Sequence, residues 1–434
     1  MRRGGNPALG HGSRATRFAG VCRRKVYCAA KHSPLSSLSS RIAPLAITAY
    51  TATSAAGRGV EALAQSLAQR RSGLTANDFD SLPCWIGRVR GLEQSSLPAA
   101  AERWEARNHR LAWLGLNQDG FRERALAAIE RYGAARVAIV LGTSTSSIGE
   151  TERAYRELDA SGHFNATQRR SRSHQTHALG AFVQQMLGTR GPCLSIATAC
   201  SSSAKVFASA ARLLAAGMVD AAIVGGVDTL CGSVLYGFNS LELVSREPCR
   251  PFDPDRGGLS LGEAAGFALL ERATTHARGP RLIGYGESAD AHHMSAPHPE
   301  GAGAERALRE ALARAGIDAT QVDYVNLHGT ASRQNDEVEA ALIARAFPPT
   351  TLASSTKGWT GHTLGAAGIV EAVIALLAIE RALVPGTINS RALDPACGPQ
   401  IQLDNRERNV RFALSNSFGF GGNNCCLAFA AEAA

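Results

Sequence analysis

No stretch of this chain stays apolar for the roughly 18 residues that a membrane-crossing helix needs. The nearest approach, Leu364–Ile379, is interrupted by Glu371. Acidic residues are missing from the first 60 positions, which hold ten Lys/Arg. The formal net charge of +9 therefore belongs to the leader, because the remainder sets 36 basic residues against all 37 acidic ones. A nucleic-acid-binding body would cluster its basic groups on the folded part, so this distribution argues against one. A basic, serine-containing, acid-free start has the composition of a transit peptide and equally of an unstructured tail. Residues 1–41 are read as a basic, disordered leader. The ten cysteines include no C-x-x-C pair, and no paired Cys/His spacing suits zinc. Without a secretory apolar segment they are read as reduced thiols, and the expected location is the cytoplasm, with organelle import as the alternative. No G-x-x-x-x-G-K-[ST] phosphate loop is present.

What is there has a globular composition: 45% hydrophobic and 19% charged residues over 434 positions, too long for one core and so pointing to two halves. The stretch Leu194–Gly217, LSIATACSSSAKVFASAARLLAAG, organises the rest. It opens as a β-type run, turns through Thr198-Ala199 and becomes a nearly all-apolar helix from about Ser203, with Cys200 at the join. The first turn of a helix has free N–H groups and a partial positive charge. A thiol there is expected to lose its proton more easily, and the thiolate is the nucleophile. The serines that follow suit a helix start. On this stretch alone a buried cysteine acting as a small hydrophobe is the competing reading.

A second stretch echoes the first. GHTLGAAGIVEAVIALLAIERALVPG is also a small-residue loop feeding an apolar helix, over Ile369–Arg381. Strands are expected at Ile42–Tyr50, where Pro44 weakens the pattern, at Arg136–Leu141 and Ala221–Gly226, both buried, and at Phe267–Leu270 in one half. Leu282–Gly286, Val322–Leu327, Leu352–Ser355 and Arg411–Ser417 are expected in the other, with Thr356–Gly368 a loop. Alternation of strands and helices predicts an α/β fold with largely parallel sheets. Two helices apolar all round need a sheet on each flank. The expected architecture is a layered αβαβα arrangement of two similar halves, 42–280 and 281–434, with the site between them. A single doubly wound sheet would leave those helices a face in water.

His328 ends the VDYVNL strand, and His362 sits at the mouth of the second apolar helix. One Cys and two His thus occupy strand-to-helix junctions, where catalytic groups collect. Glu371 inside the apolar helix needs a partner, and Lys357 in the preceding loop is the nearest by sequence. That pair is read as holding the loop that bears His362. The glycines of Phe418–Gly422 let the backbone approach a ligand, so its N–H groups could join that of Cys200 in stabilising an oxyanion.

Cys200 in TACSSS, His328 in HGTAS, Lys357 and His362 in SSTKGWTGHTLGAAG, and NSFGFGGNN together resemble the β-ketoacyl-acyl-carrier-protein synthases of the elongating type (synthase I/II), over roughly residues 42–432. The resemblance implies a thiolase-like, duplicated αβαβα five-layer fold and, usually, a homodimer. It implies that Cys200 takes the acyl group from a carrier thioester, and that His328 and His362 bind the malonyl thioester carbonyl and promote loss of carbon dioxide. The N–H groups of Cys200 and Phe420 would form the oxyanion hole, and Phe420 would also be the gate. Lys357 and Glu371 would be the supporting pair, with Thr330 near the pantetheine arm. No cofactor or metal is implied, since the substrates ride on the phosphopantetheine of acyl carrier protein. The chain departs from the family pattern at Ser332 and Asn423, where threonines are usual. A second cysteine in the last glycine-rich loop would mark a degradative thiolase, and Cys425 and Cys426 come too late for that. A chain-length subunit without the nucleophile, paired with another synthase, is the alternative that Cys200 argues against. Arg88, Arg90, Arg169, Arg170 and Arg172 are candidate docking groups for an acidic carrier.

Overall fold

The computed structural model describes residues 41–166, 168, 173–273 and 278–432. The expected leader, residues 1–41, lies outside these apart from Arg41. In the first half the main strands are β1 Leu45–Ser54, β2 Val137–Gly142, β3 Cys193–Ile196, β4 Ala221–Asp228 and β5 Ala264–Arg272. The second half supplies β6 Arg281–Ala289, β7 Tyr324–Asn326, β8 Leu352–Ser354, β9 Phe412–Gly419 and β10 Asn423–Ala430. Side by side they run β3-β2-β4-β5-β1 and β8-β7-β9-β10-β6. Each half therefore has its third, second, fourth, fifth and first strands in the same order. The two sets meet where β1 pairs antiparallel with β6 over only Leu45↔Leu282 and Ala46↔Arg281.

The expectation of largely parallel sheets is corrected: both sets are mixed. The second strand of each half is parallel to its third and fourth, while the fifth runs antiparallel to both its neighbours. In the second half the reason is local. Only the turn Phe420–Gly422 separates β9 from β10, too short a link for the crossover that a parallel neighbour needs.

The sequences of β2 (VAIVLG) and β4 (AAIVGGVD) are buried at every position, as strands covered on both faces must be. The covering helices include the two central ones. In Ala367–Arg381, every residue from Ala367 to Ala378 is buried, and the helix touches strands of both halves. Ser202–Ala215 is buried along most of its length, with Arg212 and Ala215 reaching the surface. The two helices lie against each other. A Cβ on Gly368 would stand 2.5 Å from the Ala204 nitrogen, so only glycine permits the approach. The Ile369 N–H donates to Ser203 Oγ at 2.9 Å.

Other boundaries shift modestly. The first strand starts at Leu45, after Pro44, and the loop expected over Thr356–Gly368 contains a short helix, Lys357–Thr360, and a 3₁₀ turn, Leu364–Ala366. Strand β10 and the helix Gly232–Ser240 were not expected from sequence. No helix among the described residues is long and apolar enough to cross a membrane.

Candidate active site

Strand β3 stops at Ile196, and the chain reaches Cys200 through Ala199, whose φ of 51° is the left-handed region. The serines behave differently from the helix caps expected. Ser201 Oγ donates to Thr198 O at 2.9 Å, and Ser202 Oγ accepts the Thr198 N–H at 2.9 Å. They lock the turn that presents the cysteine, and Ser201 makes no side-chain capping bond to the helix.

Cys200 is 5% exposed, and its Sγ lies 2.9 Å from His362 Nε2. The His328 and His362 rings stand edge to face, 5.4 Å apart at 86°. One donor atom from each of Cys200, His328 and His362 falls within 4.8 Å of the others. All three border a cavity of about 360 Å³ that Thr330, Phe238, Phe418 and Phe420 also line. Residues from both halves thus meet at one site.

The expectation of an acidic thiol is corrected. Burial pushes the Cys200 thiol up to about 12, against the pull of Lys357 and of the Phe420 N–H that bonds to it. An enclosed thiolate loses more hydration than a helix start returns. Burial, reinforced by Lys357, holds His328 and His362 well below the ordinary imidazole range. Both rings are therefore neutral near pH 7, and one is poised as a base beside a protonated sulfur.

Lys357 and Glu371 do pair, inside the protein. Burial raises the Glu371 carboxyl to about 7 against the opposing ammonium. The pair joins the loop that bears His362 to the following helix, and Lys357 also reaches a partner that was not expected. Lys357 Nζ donates to the His328 carbonyl and lies 3.5 Å from His328 Nδ1. His362 is held instead through its backbone: its N–H donates to Ser260 O at 2.7 Å, and its carbonyl accepts the Gly262 N–H at 2.9 Å.

Thr330 and Ser332 hydroxyls hydrogen-bond each other at 2.9 Å on the cavity wall. Phe420 stacks on Phe238 at 5.5 Å and 21°, and Phe238 stands edge-on to His362. A Cβ on Gly419 would come within 2.7 Å of Thr198 O, so glycine lets this loop lie against the cysteine turn. Asn423, at one of the departures from the family pattern, donates from Nδ2 to Phe420 O at 3.3 Å and accepts from Lys205 Nζ at 3.5 Å.

Three residues of the site were missed. Glu339 accepts the N–H groups of His328 and Gly329 at 2.8 and 2.7 Å. Asp228 accepts from Thr143 Oγ1 and from the N–H groups of Ser144 and Gly365 at 2.6, 2.7 and 2.7 Å. Asp228 is a carboxylate in an otherwise apolar stretch, which is the signal that exposed Glu371, whereas Glu339 follows Asn335, Asp336 and Glu337 and does not stand out. Phe238 had no such signal. Of the docking candidates, Arg88 is paired with Asp78 and Glu93, and Arg90 is exposed. Arg169, Arg170 and Arg172 lie outside the described residues.

Residues 43–276 match the family described as the beta-ketoacyl synthase N-terminal domain, and residues 281–391 its C-terminal domain. Nodulation protein E of Rhizobium meliloti (strain 1021) is 38% identical over 308 residues, 68% of this chain and 76% of that protein. The 3-oxoacyl-[acyl-carrier-protein] synthase 2 of Vibrio cholerae serotype O1 is 33% identical over 319 residues, 69% of this chain and 77% of that one. Among solved structures, a ketosynthase in complex with its chain length factor from Xenorhabdus doucetiae superposes with a TM-score of 0.82 at 35% identity, covering 90% of this chain and 98% of that chain. The chain belongs to the β-ketoacyl synthase family, of the elongating type, an acyltransferase family with the thiolase-like fold.

Proposed function

We propose that this enzyme is a 3-oxoacyl-[acyl-carrier-protein] synthase that joins malonyl units to an acyl chain held on Cys200. The observation that carries the reading is the sulfur of Cys200 at 2.9 Å from one neutral imidazole, with a second beside it, on a shared cavity. Cys200 Sγ attacks the acyl-carrier thioester carbon as its proton passes to His362 Nε2. The carbon–sulfur bond to the carrier breaks, and the departing thiol takes that proton. Malonyl thioester then enters, its carbon–carbon bond breaks, carbon dioxide leaves, and the electron pair moves onto the thioester oxygen, met by the Nε2–H of His328 and by His362 in the tautomer that carries its proton on Nε2, which it adopts once the sulfur is acylated. The resulting carbanion attacks the Cys200 thioester. The N–H groups of Cys200 and Phe420 hold the oxyanion until Cys200 departs and is reprotonated.

Lys357 and Glu371 act through His328: an ammonium against Nδ1 has only hydrogens to offer, so it favours the tautomer with the proton on Nε2. Thr330, on the cavity wall, is assigned to the pantetheine arm. The carrier protein is the partner, with Arg90 a docking group, and no cofactor takes part. The halves divide at residues 42–280 and 281–434, and the protein works in the cytoplasm. A paired assembly is expected, with a second copy or with a chain-length partner. The presence of Cys200 supports assigning this chain the catalytic role in such a pair.

Cys200→Ala should abolish acyl loading while leaving slow decarboxylation of malonyl carrier. Intact mass after incubation with acyl carrier thioester is the measurement, and an acyl adduct on the mutant would refute the assignment.

A further inference from the structure

A thiolate and two imidazoles are the donor set of a soft transition-metal site. Sequence spacing hid it, because the three residues come from separate junctions. In space, one donor atom from each of Cys200, His328 and His362 falls within 4.8 Å of the others, and all three residues are buried. In a tetrahedral zinc site, bonds of about 2.0–2.3 Å put ligand atoms roughly 3.3–3.8 Å apart. The trio is thus within about an ångström of closing on a metal, with the cavity beside it able to supply a water as fourth ligand.

One neighbour works against closure. A histidine that binds metal through one ring nitrogen almost always donates the N–H of the other to a carboxylate, carbonyl or water. Here the group at His328 Nδ1 is the Lys357 ammonium, 3.5 Å away, which also donates to His328 O and to Glu371. An ammonium accepts nothing. It favours a bare Nδ1 and a protonated Nε2, so the nitrogen left for the metal carries a hydrogen. At His362 no cation opposes closure, although its Nδ1 is buried without a hydrogen-bond partner among the described residues and so offers its N–H no acceptor.

We propose that Cys200, His328 and His362 form a latent site for zinc-like ions, and that Lys357 keeps it from closing, so that the sulfur stays free for acyl groups. Metal binding depends on these three donors alone and not on which thioester the cavity accepts.

Cadmium is the probe, because its thiolate complex has an ultraviolet charge-transfer band. The full chain is titrated with cadmium alone, beside Cys200→Ala. Wild type should show a weak, one-to-one band, saturating only near millimolar metal and absent from Cys200→Ala. No Cys200-dependent band overturns the site, and a tight, micromolar one overturns the guard. The paired change Lys357→Met with Glu371→Gln removes the ammonium without stranding a buried charge. It should tighten cadmium binding at least about ten-fold, the scale on which groups behind metal ligands act. Affinity equal to wild type in the folded variant overturns the role given to Lys357. If that variant does not fold, the wild-type titration still decides between the three outcomes.

Discussion

Strand β3 in the first half runs into Cys200, and its counterpart β8 in the second half runs into Lys357 and His362. The second strands differ more. The loop after β7 bears His328, while the loop after β2, Thr143–Ser147, bears no reacting group and wraps Asp228. Asp228 itself ends β4, and the corresponding strand β9 leads into Phe420. Two halves of one topology thus use equivalent junctions for different ends. The strand order fixes where a junction lies, and the side chain there decides whether it reacts or braces. A shared device sits behind the difference: each half satisfies amides of the loop after its second strand with a buried carboxylate, Asp228 in one and Glu339 in the other.

The sharpest way to break this division of labour is at the two histidines. His328→Ala should lower decarboxylation by about 10²–10³-fold, the scale for losing one oxyanion donor, while acyl loading of Cys200 persists. His362→Ala should cut both, because it touches the sulfur. Separate assays of acyl-enzyme formation and carbon dioxide release read the two steps. Equal loss of loading in both variants would show that the imidazoles are not specialised.

Much of this site was legible because its residues break local rules. Cys200, His328 and His362 interrupt small-residue junctions, and Glu371 interrupts an apolar helix. The central helices were legible for the opposite reason: uniform apolarity demands cover on all sides. What escaped notice depends on contacts between distant segments. The acidity of Cys200 could not be read from a helix start, since its burial in the folded site sets it. Nor could the true neighbour of Lys357, because His328 arrives from another strand. Mixed strand direction escaped because βαβ alternation marks parallel neighbours and leaves the returning fifth strand unmarked.

Next in size is the bracing carboxylate of the first half. Asp228→Ala leaves several buried donors unpaired, among them Ser144 N–H and Gly365 N–H, so a loss of about 3 kcal/mol is expected. Denaturant midpoints measure it. Because Gly365 belongs to the second half, activity should fall with stability; an unchanged midpoint would remove Asp228 as a brace.

The second-half carboxylate sharpens the comparison through pH. Burial raises Glu339 from its ordinary 4.5 to about 7, so the folded chain holds that proton more tightly than the unfolded chain. Its contribution to stability is then full below about pH 4.5 and is lost as pH rises toward 7. Asp336, raised to about 6, and Glu371, raised to about 7, add to the same slope. Glu339→Gln should flatten the decline of stability between pH 4.5 and 7 by its share, whatever it does to the midpoint at one pH. A slope identical to wild type would mean Glu339 titrates alike in both states.

The smallest effect concerns the gate, where the halves touch through aromatic rings. Phe238, from the first half, stacks on Phe420, from the second, at 5.5 Å and also faces His362. An aromatic pair adds about 0.5–1.5 kcal/mol beyond the area it buries. Phe238→Ala should therefore free the Phe420 loop at modest cost to stability. If Phe420 must move for an acyl chain to enter, the variant should load acyl groups several-fold faster, with the malonyl step changed little, because His328 and Cys200 keep their own contacts. Stopped-flow acylation resolves the two steps. Slower loading would instead make the Phe238–Phe420 stack part of the surface that grips the acyl chain, and the first half would then supply binding as well as the nucleophile.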